Sequence, residues 1–285
     1  RPPAYVFSPS EVWDGLRMNN DRPVCNGLVL DWSGWQKENG TAFTYLRSAL
    51  GVLSPAESEP IVPGDLTRIS LDDARDIPTL KMPFGQDVPV LHAAAGIRRM
   101  IALAYTLVWT WDEHLKASRL LAAPPTDQVI FLIDEIESHL HPRWQRSIIR
   151  AVLNVMHVLR ESASVQLLAA THSPLVLASV EPLFDERTDA WFDLDLETIG
   201  NGAPRVKLTK RPFVRRGDAS TWLTSDAFDL GSARSLEAEK VLDEAATALS
   251  DEDFDAQRAR QLDDELRSVL SDTDPASTRR RLGAH

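Results

Sequence analysis

Two short apolar runs, each closed by polar residues, dominate the pattern of this chain. Gln128-Val129-Ile130-Phe131-Leu132-Ile133 runs into Asp134-Glu135. An unbroken apolar run bounded by polar residues predicts a strand buried on both faces, as in the centre of an α/β sheet. Val165-Gln166-Leu167-Leu168-Ala169-Ala170 is a second such run, and it closes on Thr171-His172-Ser173-Pro174. Between them Trp144, Ile148, Ile149, Val152, Leu153, Val155, Met156 and Leu159 recur at helical spacing, with Pro142 at a first helical position. Strand, helix, strand predicts a parallel βαβ unit with a right-handed crossover. Both polar tips then leave the same carboxyl edge, where ligands bind in open α/β sheets.

Elsewhere the pattern is weaker. Ala4-Tyr5-Val6-Phe7 and Leu28-Val29-Leu30-Asp31-Trp32 are strand-like, and Ser8 or Ser10 suits the cap of a helix over Glu11–Met18. Thr41–Leu50 has helical spacing, residues 51–65 are rich in proline and acids and predict an exposed loop, and residues 66–90 predict short strands and turns. Ile97, Ile101, Ala104, Val108 and Leu115 share one face of a long helix from Gly96 to about Leu121, and Ala122–Asp127 reads as a loop. Beyond Pro174 come a short helix Leu175–Val180 and an alternating strand Trp191–Leu196. Val206-Lys207-Leu208 pairs with that strand across a Gly200-Asn201-Gly202 turn, and helices follow over Ser220–Phe228, Ser235–Leu249 and Glu252–Leu270. No internal repeat is visible.

Composition narrows the class. At 285 residues, 43% hydrophobic and 26% charged, the chain has room for a substantial core and one or two domains. The longest apolar run, Ile101 to Trp111, is too short to cross a bilayer. The lone Cys25 excludes an internal disulfide and fits a reducing compartment, so a cytoplasmic location with no membrane partner is expected. A net charge of −11 argues against a dedicated nucleic-acid module. Two basic groups stand out: Arg205, Lys207, Lys210, Arg211, Arg215 and Arg216, and then Arg279-Arg280-Arg281. A solvated surface explains them most simply, and a nucleic-acid contact is the alternative.

Candidate chemistry gathers at the strand tips. Carboxylates at the end of a buried strand are costly to desolvate unless they have a partner or a task. In a nucleotide hydrolase the first acid helps hold Mg²⁺ and the second orients or deprotonates the attacking water. A neutral imidazole at the neighbouring tip can donate one hydrogen bond to a phosphate and accept another. His139 and His141 with His172 make only a weak metal pattern. Glu137 is placed to meet Arg143 one turn on. Arg98 and Arg99 open a helix, where cations oppose the dipole, so one of them is expected to meet an anion. Asp193 and Asp195 read as the wet face of a strand, with a metal-dependent nuclease as the competing reading.

These motifs, in this order and spacing over roughly residues 78–180, resemble the ATP-binding cassette ATPases. The likeness is to the branch with SMC proteins, RecF and the OLD-type and other defence-associated ATPases. Asp134-Glu135 is similar to the Walker B pair, Glu137-Ser138-His139-Leu140-His141-Pro142 to the stretch that follows it, and Thr171-His172-Ser173-Pro174 to the switch-histidine loop. Val90 to Arg99 resembles the signature loop, of pattern Ser-x-Gly-x-x-Arg. The resemblance implies an α/β P-loop NTPase with a parallel sheet core and helices on both faces, incomplete at the N-terminus, with a C-terminal helical tail. Its head would cover 1–215 and the helical extension 216–285. It implies ATP and Mg²⁺, with Asp134 holding the metal through water, Glu135 as general base, and His172 sensing the γ-phosphate. Ala94, Ala95, Gly96, Arg98 and Thr171 would bind nucleotide. The partner would be a second head in a homodimer, with an effector such as a nuclease.

Two departures qualify the likeness. No G-x-x-x-x-G-K-[ST] occurs in the chain, which starts at Arg1, so the lobe carrying that loop is expected upstream. Ala94 stands where the signature has serine, leaving backbone N–H groups near Gly96 to bind phosphate. A non-hydrolysing, ATPase-derived interaction subunit is therefore the alternative to an enzyme.

Overall fold

The computed structural model describes residues 5–18, 21–197, 203–249, 255–271 and 274. The expected Gly200-Asn201-Gly202 turn, the Arg279-Arg280-Arg281 group and Ala4 lie outside the described residues. The chain divides into two compact units, Arg1–Asp185 and Glu186–His285. The division falls before the 215/216 boundary expected from sequence, so the terminal hairpin belongs to the second unit.

The first unit opens with α1 (Pro9–Asp14), whose N-cap Ser8 and Glu11 form a capping box. The helix ends at Asp14 and not at Met18. Gly15 stops it at φ +102°, where an added Cβ would lie 2.7 Å from the Cys25 carbonyl oxygen. The chain then forms β1 (Leu16–Arg17), antiparallel to β2 (Pro23–Cys25). Tyr5 and Phe7 are not a strand; their rings meet Trp109 edge-on. Leu28 to Trp32, expected as a strand, is the start of α2 (Leu28–Glu38). Leu28, Val29 and Trp32 are buried together there, a helical stripe that a short apolar run does not distinguish from a strand.

Next come α3 (Thr41–Val52) and an antiparallel trio of β3 (Val62–Pro63), β4 (Thr79–Lys81) and β5 (Asp87–Pro89). The stretch before them is less exposed than expected, since Leu53 and Ile61 are buried. A 3₁₀ turn at Val90–His92 leads into α4 (Ala95–Leu120), the long helix its periodicity predicts. Phe43, Leu46 and Leu50 of α3 and Ile101, Ala104 and Val108 of α4 belong to one core. Truncating one of these leucines to alanine costs about 2–5 kcal/mol.

The βαβ unit follows as β6 (Gln128–Ile133), α5 (Pro142–Gln145), α6 (Ile148–Leu159) and β7 (Ser164–Ala169), closed by α7 (Pro174–Val180). The single helix expected over 142–159 is broken at Arg146-Ser147. Strands β6 and β7 pair in parallel, from Gln128 with Ser164 to Ile133 with Ala169. Val129, Phe131 and Ile133 pack against the core with Val165 and Leu167. The opposite face is open: Ile130 is 63%, Leu132 75% and Leu168 50% exposed. Burial of β6 on both faces is thus corrected, because these two strands receive cover from one side only.

The second unit pairs β8 (Trp191–Glu197) and β9 (Arg205–Arg211) antiparallel, followed by α8 (Ala219–Leu223), α9 (Leu236–Ala248) and α10 (Ala256–Val269). Trp191, Phe213 and Trp222 cluster ring to ring. The alternation of β8 is as expected, but its exposure is inverted. Phe192, Leu194 and Leu196 are exposed, while Asp193 is half-buried. No helix among the described residues is long and apolar enough to cross a membrane.

Candidate functional site

Parallel pairing of β6 and β7 sends their polar tips off one rim. The ladder continues past the strands: Ala170 N donates to the Ile133 carbonyl at 3.0 Å, and Ile136 N to the Ala170 carbonyl at 3.2 Å. Asp134-Glu135 and Thr171-His172 are therefore neighbours at the carboxyl edge, and Asp134, Glu135 and His172 are all exposed. Glu135 turns the chain sharply, at φ +46°, and its N–H donates to its neighbour Asp134 Oδ1 at 3.0 Å. Ser138 N then closes a turn on the Glu135 carbonyl at 2.9 Å. His139, also left-handed at φ +60°, leads to the N-terminus of α5. Non-glycine residues in this region store strain, which clusters at functional loops.

Glu137 ties the two tips together. Its Oε2 accepts from Thr171 Oγ1 at 2.6 Å, and its Oε1 from His172 N at 2.6 Å. The expected Glu137–Arg143 pair does not form; Arg143 reaches Glu59 instead. Thr171 accordingly has its hydroxyl proton committed to Glu137 and not free for a phosphate. A second tie runs through Gln145, which donates to the Leu140 carbonyl at 3.0 Å and accepts from Ser173 Oγ at 2.7 Å. Ser173 also caps α7 by accepting from Val176 N.

The start of α4 lies against the same acid loop. Ala94 is its N-cap and supplies no side-chain cap. Gly96 approaches so closely that an added Cβ would sit 3.0 Å from the His139 carbonyl oxygen. Arg98 lies over the Trp13 ring, 4.8 Å from its centroid. Arg99, expected with Arg98 to offer a charge to an anion, donates instead to two carbonyls: Nη1 to Ser138 at 2.6 Å and Nη2 to Glu135 at 2.9 Å. Glu137, Arg99 and Gln145 are the residues whose roles the sequence pattern did not reveal. Only the position of Arg99 and Glu137 inside recognisable motifs marked them.

Among the described residues, no group of three or more His, Cys, Asp or Glu is placed to hold a metal ion. His139, His141 and His172 therefore form no zinc centre. Asp193 is ion-paired with Arg211 and Asp195 caps its own neighbour Leu196 N, which leaves the nuclease reading without a metal site. Mg²⁺ makes a different demand. It takes one or two carboxylates together with water and substrate phosphates, and the exposed carboxylate of Asp134 at the rim fits that donor set. In the second unit the basic stripe is partly matched by acids, with Lys207 paired to Glu197 and Arg211 to Asp193.

An acid-ended strand, a helical crossover and a histidine-tipped parallel strand, with a glycine-led helix against the acid loop, define an ABC/SMC-like AAA ATPase of the defence-associated kind. The family model described as "AAA domain, putative AbiEii toxin, Type IV TA system" matches residues 3–178, and the chain belongs to that family. It is similar to the Retron Vc95 probable ATPase of Vibrio cholerae serotype O1 biovar El Tor, 30% identical over 116 residues, or 41% of this chain and 20% of that protein. The Retron Ec83 probable ATPase of Escherichia coli is 28% identical over 134 residues, 47% of this chain and 21% of that protein. The matched part is thus about a fifth of the length of these curated relatives. Two solved structures also resemble it. One, described by "ATP-driven dimerization and DNA stimulated activation of SMC ATPases", has TM-score 0.36 and 12% identity over 64% of this chain and 90% of that one. The other, an SmcHead bound to the C-winged helix domain of ScpA, has TM-score 0.34 and 14% identity over 62% of this chain and 45% of that one. The fold assignment rests on the family match and the βαβ unit.

Proposed function

We propose that this chain carries the signature, acid and switch elements of an ATPase head, and that the intact protein binds and hydrolyses ATP between two such heads. The observation supporting this is the shared rim, where parallel register places Asp134-Glu135 beside Thr171-His172 and Glu137 joins them. Asp134 would hold Mg²⁺ through water, and the bound ion would neutralise charge on the β- and γ-phosphates. Glu135 takes the proton of the attacking water. His172 donates a ring N–H to the γ-phosphate. Ala94, Ala95 and Gly96, with Arg98 beside them, offer their helix N-terminus to nucleotide held by the partner head.

A phosphate-binding loop has to come from outside these 285 residues. The open face of β6 and β7, with Ile130, Leu132 and Leu168, is the surface on which its lobe would seat. The retron names of the relatives support coupling of ATP turnover to a defence effector, such as a nuclease, in the cytoplasm. Ala94, which lacks the signature hydroxyl, favours a second reading: a non-hydrolysing subunit that binds its partner whatever the nucleotide.

Mg-dependent ATP turnover of the intact protein separates the two. Glu135→Gln is expected to lower turnover about 10²–10⁴-fold while ATP still binds. Turnover unchanged in that variant removes Glu135 from the mechanism.

A further inference from the structure

Arg99 and Glu137 face the acid loop from opposite sides, and neither is placed at the nucleotide by the reading above. The Arg99 guanidinium spans the turn that Glu135 begins, taking the carbonyls of Glu135 and Ser138 in one fork. Those are the two ends of the turn closed by Ser138 N on the Glu135 carbonyl. Glu135 is held at a left-handed φ, a conformation that persists in a non-glycine residue when its surroundings over-determine it. Within that same turn, the Glu137 carboxylate spends both oxygens on Thr171 and His172. The path from the first turns of α4 to the histidine loop is thus continuous: guanidinium, two carbonyls, one turn of backbone, one carboxylate.

We infer that Arg99 and Glu137 are positioning residues that lock the general base and the switch loop to the signature end of the same head, so that these three parts move as one body. This rests on the ATPase reading for its catalytic consequence, but not for the mechanical coupling itself. A contact felt at the Ala94–Gly96 end by a partner-held nucleotide would reach Glu135 and His172 of its own head through Arg99. Arginine suits the task because its planar fork serves two acceptors at once, whereas a lysine ammonium is a single point.

The test compares Arg99→Ala, Arg99→Lys and Glu137→Ala in the intact protein. Without nucleotide, the His172 amide is expected to exchange about tenfold faster in Glu137→Ala, the loss of its one acceptor, and faster also in Arg99→Ala. The second effect is the informative one, because Arg99 touches neither Thr171 nor His172. With nucleotide, Arg99→Ala is expected to lower kcat about 10²-fold, the scale of a misplaced catalytic group, with ATP affinity held within about twofold. Arg99→Lys should recover part of both effects. Unchanged His172 exchange in Arg99→Ala overturns the coupling, whatever the turnover. Loss of ATP affinity in step with kcat overturns it too. Failure of the ATPase reading is a separate result, seen when Glu135→Gln leaves turnover untouched; the exchange measurement then still decides the role of Arg99.

Discussion

Removing one hydroxyl from the core, by Tyr105→Phe, should destabilise the first unit in a pH-dependent way. Tyr105, on α4, is 2% exposed, and its Oη donates to Asp31 Oδ2 of α2 at 2.8 Å. Cys25 Sγ lies 2.8 Å from the same oxygen, and Asn26 Nδ2 donates to Asp31 Oδ1 at 2.8 Å. Burial pushes the Asp31 carboxyl above the usual carboxylate range, and the bonds from Asn26 and Tyr105 pull part of that back. Lys116 also lowers it, while Glu113 raises it. Burial drives the Tyr105 phenol well above its ordinary range, so it stays a donor. Phenylalanine keeps the ring and opens no large cavity, so the lost term is one hydrogen bond to a charged acceptor. Such bonds contribute about 1.5–3 kcal/mol, and partial solvent access at Asp31 lowers the expectation to about 1–2 kcal/mol. At about 2–4 °C per kcal/mol for a unit of this size, Tm should fall by about 2–8 °C near neutral pH.

The sign of the pH effect follows from linkage. A carboxyl whose folded pKa is raised contributes stability that is fully present below about pH 4 and is lost as pH climbs through the folded value. Without the Tyr105 donor that folded value rises further, so the variant loses more over the same climb. Thermal unfolding followed by circular dichroism at pH 4 and pH 7 should show a larger deficit at pH 7. Equal deficits at the two pH values, or no deficit at pH 7, would refute the role given to this bond.

Two further substitutions bear on the site and its surroundings. Ala94→Ser supplies the side-chain acceptor that the N-cap of α4 lacks, and urea unfolding should show a gain of about 0.5–2 kcal/mol. Leu132→Lys, on the open face of β6, should change the stability of the 285-residue chain by no more than about 0.5 kcal/mol. It should also reduce self-association of that chain in sedimentation; a large loss of stability would mean the face is covered.

Where the physics is local, the residues alone were enough to read it. The Ser8–Glu11 capping box, the long helix α4, the capped start of α9 at Ser235 and the β6–α–β7 alternation all follow from spacings within a few turns of backbone. The common rim of Asp134-Glu135 and Thr171-His172 was legible for the same reason, since a parallel crossover leaves both tips no other edge. What depends on neighbours distant in sequence was not legible. Leu28 to Trp32 satisfies either a strand or a helix, and packing beside Tyr105 and the core of α3 and α4 decided for the helix. The same five-residue ambiguity hid the open face of β6, because an apolar run is silent about whether anything covers it. Glu137 had a plausible partner one turn away in Arg143, yet it pairs across the rim, and Arg99 found carbonyls in place of an anion. Side-chain partners are chosen by which groups the folded backbone brings within about 3 Å, and that distance is a property of the tertiary structure alone.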